Sequence, residues 1–277
     1  MPLSEEDINA KSKSKTLKAF LDRYAINFKQ PLGEGKFGKV YKGYDRHRSK
    51  RIAIKIVNLD KMYLKPFVRE CKLLVKTVHC PGIIRILDYI VSINDGFGII
   101  AMPIAKCDLY DYVKRKRRPI GPLIDGWIRM VRAVNCMHGL GYIHGDIKPE
   151  NVLVDAKGDL HLTDLGYARE CGVAYIEYGS LMYSAPECFN KRMFLDRKST
   201  DVWALGVLLY VLVMRKYPFD ESSRSAIVSS VQREVAWIPP SKDVPTWVRK
   251  VIMGCLRKNP AKRMTLEDVL KMCVDAS

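Results

Sequence analysis

An α+β fold, built as one large or two joined lobes, is what this sequence predicts. Its 277 residues exceed the length at which a single hydrophobic core usually stops growing. Strand-like segments crowd roughly the first hundred residues around one helical stretch, and helical periodicities take over beyond about residue 108.

Residues 1–25 read as a peripheral N-terminal extension, where Leu17, Phe20 and Leu21 recur at the spacing of a short docking helix. From Tyr24 an alternating segment leads into Leu32-Gly33-Glu34-Gly35-Lys36-Phe37-Gly38-Lys39-Val40, and then into Ile52-Ala53-Ile54-Lys55-Ile56-Val57. Both flanks of the glycines read as strands. A dinucleotide fingerprint would instead open a helix after its last glycine, so this loop is expected to be a hairpin that lies over phosphates.

Lys55 on an apolar strand requires a counter-charge, because an unpaired buried ammonium is costly. Pro66 suits a first helical turn, and Phe67, Val68, Cys71, Leu74 and Val75 form an apolar stripe with Glu70 beside it. Glu70 is the expected partner. Strands are expected at about 83–90 and 98–102, then helices at about 109–116 and 122–140. His138 reads as a packed helix residue.

The chemistry concentrates in His144-Gly145-Asp146-Ile147-Lys148-Pro149-Glu150-Asn151, followed by Thr163-Asp164-Leu165-Gly166. Two acids and an amide fall where loops meet strands. Ser184-Ala185-Pro186-Glu187 follows, after Gly179-Ser180, and Asp201 opens an apolar, buried helix.

Lys and Arg number 47 against 30 Asp and Glu, a formal net charge of +17 that suits nucleic-acid or membrane contact, or simply attraction to a polyanionic ligand and acidic partners. The densest basic run, Lys114 to Arg118, reads as a nuclear-localisation patch or as a solvated helix end. Eight cysteines without a C-x-x-C pair, no apolar run of membrane-spanning length and no secretory leader lead us to expect a soluble protein of a reducing compartment, in cytoplasm and/or nucleus.

Taken together, these motifs resemble those of eukaryotic-type serine/threonine protein kinases, in the right order over residues 26–273. The compact size and the linker around Met102-Pro103 and Cys107-Asp108 are also similar to herpesvirus-type kinases, for which the compartment would be the host cell's. The resemblance implies a bilobal fold: an antiparallel-sheet N-lobe with one helix over about 26–102, a hinge at 103–107 and a larger, mostly helical C-lobe over 108–273.

It further implies ATP between the lobes, with Mg2+ or Mn2+, and protein substrates bearing Ser or Thr. Nucleic acid is not expected as a substrate. Leu32 to Val40, Ala53 and Leu153 would enclose the nucleotide. Lys55, set by Glu70, would hold phosphates, Asn151 and Asp164 the metal, and Asp146 the substrate hydroxyl. Lys148 would meet the transferred charge. Pro103 and Ala105 would supply an adenine-facing carbonyl and amide, and Asp108 a ribose contact. Met102 would be the gatekeeper, or Ala101 if the registration shifts by one.

Ser180, Glu187 and Arg263 would form the substrate platform, the last two as an ion pair. Two departures point to activity without activation-segment phosphorylation. Gly145 stands where many relatives carry a phosphate-gripping Arg, and the usual phosphate position falls on Ile176. Leu165 for Phe keeps an apolar packing residue. The alternative reading is a pseudokinase scaffold that binds partners through its basic surface.

Overall fold

In the computed structural model the described residues are 15–35, 38–60, 62–172, 179–189, 198–234, 236, 238 and 244–275. Lys36, Phe37 and Ile176 therefore lie outside them. The chain forms two compact units that interleave in sequence. One is drawn from residues up to His79, from Ile84–Lys106 and from Asp164–Gly166; the other from Cys80–Ile83, Cys107–Thr163 and the residues from Tyr167 onward.

The first unit contains α1 (Lys15–Arg23), β1 (Tyr24–Gly35), β2 (Gly38–Asp45), β3 (Lys50–Asn58), α2 (Leu64–Lys76), β4 (Asp88–Ser92) and β5 (Phe97–Pro103). Its five strands form one antiparallel sheet in the order β1-β2-β3-β5-β4. Leu17, Phe20 and Tyr24 are buried in one cluster with Tyr41, Ile54, Phe97 and Ile99. The short docking helix expected around Leu17, Phe20 and Leu21 is thus present and joins the core, while residues 1–14 of the N-terminal stretch lie outside the described residues. The helix's apolar face has no other way to leave water, and burial of each large apolar side chain is worth about 1.5–3 kcal/mol.

Two expectations change. Residues 83–90 do not form one strand. Ile83 makes a single parallel bridge to Leu162 within the second unit, and the ladder starts only at Asp88. The apolar Ile83 and Ile84 are buried through packing, with that one bridge rather than a ladder. On α2, Val75 is exposed and Leu73 takes a buried place beside Phe67, Cys71 and Leu74. Gly98 on β5 lets this helix approach, because a Cβ there would overlap the Phe67 ring.

The second unit contains β6 (Cys107–Asp108), α3 (Leu109–Arg115), α4 (Ile120–Gly139), β7 (Tyr142–Ile143), β8 (Val152–Val154), β9 (Leu160–Leu162) and β10 (Arg169–Glu170). After these come α5 (Lys198–Met214), α6 (Arg224–Arg233), α7 (Thr246–Cys255) and α8 (Leu266–Asp275). Helix α5 is apolar on nearly every face and is buried from Asp201 to Tyr210, as a central helix must be. Helix α4 packs on it, with Trp127 Nε1 donating to Leu205 O at 2.9 Å. Short pairings β6-β8-β9 and β7-β10 frame the loops between α4 and α5. Among the described residues no helix is long and apolar enough to cross a membrane.

Cys80 and Cys136 are joined by a disulfide, with Cα atoms 5.8 Å apart, which nothing in the cysteine spacing announces. The bridge closes a loop of 56 residues, and cross-linking a loop of that length removes about 4 kcal/mol of chain entropy from the unfolded state. Adding dithiothreitol, or replacing Cys136 by Ser, is therefore expected to lower the melting temperature by on the order of 10 °C. Identical melts with and without reductant would show that the bridge contributes nothing.

Candidate active site

In the first unit, Lys55 projects from β3 and Glu70 from α2. Lys55 Nζ donates to Glu70 Oε1 and Oε2 at 2.7 and 2.9 Å, and to Asp164 Oδ1 at 3.3 Å. Lys55 and Glu70 are buried, at 8% and 3% exposure. Burial would discharge the ammonium, but Glu70 and then Asp164 more than offset it, so Lys55 titrates above the usual lysine range. Asp164 itself sits in the left-handed region at φ 59°, one of the few side chains that tolerates it.

Strands β1 and β2 pair through Gly33↔Val40, Glu34↔Lys39 and Gly35↔Gly38, and Lys39 Nζ lies 3.1 Å from Glu34 Oε2. The glycines have different reasons. A Cβ at Gly38 would strike the Ile56 carbonyl, so the protein's own packing requires glycine there. A Cβ at Gly33 would meet nothing within 4 Å, so no internal contact demands it, and Leu32 beside it is exposed.

Cross-strand register puts Met102 and Ala101 on opposite sides of the sheet. Ala53 faces Met102 and Lys55 faces Ile100, so these four side chains share one side of the sheet. Ala101 pairs with Ile54 and belongs to the apolar cluster on the other side. Pro103 ends β5 opposite Ile52, and both it and Ala105 are half-buried.

In the second unit the segment from His144 to Asn151 places Asp146, Lys148 and Asn151 around one carboxylate. Asp146 Oδ1 accepts from Ser180 N at 2.7 Å, Lys148 Nζ lies 2.9 Å from Oδ2, and Asn151 Nδ2 donates to Asp146 O and Oδ2 at 2.8 Å. Lys148 also donates to Ser180 Oγ at 2.7 Å. Burial alone would raise the Asp146 carboxyl, but Lys148, the Ser180 N–H and His144 outweigh it and hold it below the usual carboxylate range. The group is an anion at neutral pH. Gly179 is required for this approach, since a Cβ there would overlap Asp146 Oδ1 and Gly145 O.

Asp108 caps α3, its Oδ1 accepting from Asp111 N at 2.7 Å, and pairs across β6-β8 with the half-buried Leu153. Further on, Arg263 Nη1 and Nη2 grip Glu187 Oε1 and Oε2 at 2.5 and 2.8 Å, with both residues buried. This is the fork-to-fork arrangement expected for a buried Arg–carboxylate pair.

Asp201 is the residue whose role sequence reading missed. It is 1% exposed and accepts from the backbone N–H groups of His144 and Gly145 at 2.8 and 2.9 Å, with His138 Nε2 2.9 Å from Oδ2. It anchors the loop that carries Asp146. The available signal was a lone acid opening an otherwise apolar helix, which a buried carboxylate justifies only by being fully hydrogen-bonded. His138, read as a packed helix residue, is buried and holds this acid.

Gly145 has φ 78°, and a Cβ at this position would lie 3.1 Å from Tyr167 O. Any other L-residue there meets both left-handed strain and a tight backbone contact. Gly145→Ala is therefore expected to lose about 1–2 kcal/mol of stability in denaturant titration. An unchanged midpoint would contradict this account.

Among the described residues no cluster of three His, Cys, Asp or Glu is placed to hold an ion without help. Asn151, with Nδ2 directed to Asp146, retains an amide oxygen, and Asp164 a carboxylate. Each, within its own unit, is a hard oxygen donor of the kind that suits a divalent cation.

A family model described as the protein kinase domain matches residues 26–273. CBL-interacting protein kinase 16 of Oryza sativa subsp. japonica is 30% identical over 270 residues, covering 92% of this chain and 57% of that protein. NUAK family SNF1-like kinase 2 of Homo sapiens is 33% identical over 257 residues, covering 89% of this chain and 40% of its own. CBL-interacting serine/threonine-protein kinase 7 of Arabidopsis thaliana is 26% identical over 267 residues, 92% of this chain and 60% of the relative. The chain thus spans about half the length of the curated relatives it matches. With nearly the whole chain under the family model, and an antiparallel-sheet unit followed by a helical one, this chain belongs to the protein kinase domain family.

Proposed function

We propose that the chain is an ATP-dependent serine/threonine protein kinase. The observation that carries this reading is the Asp146 carboxylate, kept ionised and oriented by Lys148, Asn151 and Ser180. ATP, with a divalent cation of the Mg2+ or Mn2+ type, supplies the electrophilic phosphoryl group when bound. Asp146 then orients the substrate hydroxyl and accepts its proton, while Lys148 stands ready to meet charge that develops on transfer. Lys55, fixed by Glu70 and Asp164, is the cation for the nucleotide's phosphates. Gly33, where a Cβ would point into open space, lets backbone approach them. The substrates are proteins bearing Ser or Thr; Lys148 and the Ala-Pro-Glu segment support that class, and Glu150 and Asp108 favour basic residues near the target.

Activity needs no phosphate on the activation segment. Gly145 offers no cation to grip one, and Ser180 already binds Asp146 and Lys148 without it. Protein made in bacteria and treated with phosphatase is expected to phosphorylate a basic protein substrate from Mg-ATP with no lag. Activity that appears only after treatment with an upstream kinase would overturn this part of the reading. Silence towards every protein substrate, with ATP still bound, would overturn the kinase reading itself in favour of a scaffold.

A further inference from the structure

Lys114 to Arg118 run from the end of α3 towards α4, and the fold brings two more cations to this run. Arg215 Nη2, just beyond α5, donates to Arg118 O at 2.9 Å, which places Arg215 beside it, and Lys216 is its exposed neighbour in the chain. Lys114 to Arg117, Arg215 and Lys216 are exposed. Among the described residues Asp111, paired with Arg115, is the only carboxylate in ion-pair contact with these seven cations.

The cluster is held in place at a cost. The Arg118 guanidinium lies 4.0 Å from the centre of the Tyr112 ring, and Lys114 Nζ is 5.1 Å from that of Tyr110. Arg215 occupies the left-handed region at φ 59°. Partial desolvation and the nearby Arg117 both hold its pKa below the usual arginine value. Strain and like-charge crowding retained at one surface point to a ligand that relieves them.

That ligand is a polyanion met by charge alone. Among the described residues Tyr110 is the only exposed large apolar or aromatic side chain of the patch, and Lys114 covers its ring, so the patch presents charge rather than an apolar wedge. Attraction through charge alone favours the ligand of highest linear charge density, and planar guanidinium forks match phosphate oxygens. We infer that the surface formed by Lys114 to Arg118 with Arg215 and Lys216 binds the phosphate backbone of duplex nucleic acid, without reading base sequence.

The test is fluorescence anisotropy of a labelled 20-base-pair DNA duplex titrated with the full chain between 50 and 200 mM NaCl. The variant is the triple Lys116→Ser, Arg117→Ser, Lys216→Ser, and the charge-matched control is Lys42→Ser, Lys50→Ser, Arg51→Ser on the sheet unit. Wild type should bind with affinity falling steeply with salt. Loss of three phosphate contacts should flatten log affinity against log salt by about 2.7, which over this salt range is about fortyfold less loss of affinity. The control should keep the wild-type slope. The single variant Lys116→Ser, expected to change the slope by about 0.9, serves if the triple does not melt like wild type.

Three results would overturn the inference: no duplex binding at 50 mM NaCl, equal flattening in both triples, or tighter binding at equal salt to poly-glutamate or to phosphatidylserine vesicles than to the duplex.

Discussion

Asp146→Asn is expected to lower the rate of phosphate transfer by about 10²–10⁴-fold while leaving the melting temperature and nucleotide affinity close to wild type. The substitution keeps the shape of the side chain and an oxygen for Ser180 N, but removes the negative charge that Lys148 and Asn151 surround. An amide cannot take the proton of a substrate hydroxyl. The measurement is incorporation of labelled γ-phosphate into a basic protein, with nucleotide affinity taken separately by fluorescence. A variant as active as wild type would remove Asp146 from the mechanism. If wild type transferred no phosphate either, the kinase reading would fall with it.

Arg263→Met is expected to be among the most destabilising single changes in the second unit. The guanidinium is buried, donates to both Glu187 oxygens and also to Ser199 O and Arg257 O at 2.8 and 3.0 Å. Its removal strands a buried carboxylate, and breaking a buried pair from one side costs about 3–5 kcal/mol. In a protein of this size that shifts the melting temperature by on the order of 10 °C. The double variant Arg263→Met with Glu187→Met is expected to recover much of the loss, since the penalty lies in the unpaired charge rather than in the missing pair. A double variant no better than the single would locate the cost elsewhere, in the carbonyls that Arg263 also satisfies.

These two predictions draw on residues that were legible from sequence for a common reason. Asp146, Lys148, Asn151 and Arg263 stand in short motifs, where chemistry demands particular residue types at close spacing. The Lys55 and Glu70 pair was legible in another way: an ammonium on an apolar strand requires a nearby acid, and the next helix had one beside its apolar stripe. The switch from strand to helix near residue 108 was likewise legible from periodicity, because alternation and the 3.6-residue repeat are properties of local chain geometry.

Other features depend on what the chain does at long range. Residues 15–23 look like an appendage until Leu17 and Phe20 are seen within the sheet's core. The apolar Ile83 and Ile84 suggest a strand, yet their partners come from packing and one isolated bridge. Whether Met102 or Ala101 lies on the Lys55 side of the sheet depends on register, which a one-residue slip would invert. The joining of Cys80 to Cys136, and of Arg215 to the basic run, depends on contacts between residues far apart in the chain.

By itself, then, the sequence determined the fold class, the family resemblance and the residues proposed for phosphate transfer, because each is written in local spacing and residue type. Only the tertiary structure decided that Asp201 holds the loop of Asp146 through two backbone amides, that Gly38 and Gly145 are glycine for different steric reasons, and that Arg215 meets the basic run of Lys114 to Arg118. Those are facts of close approach, and which groups approach closely is settled by packing rather than by order along the chain.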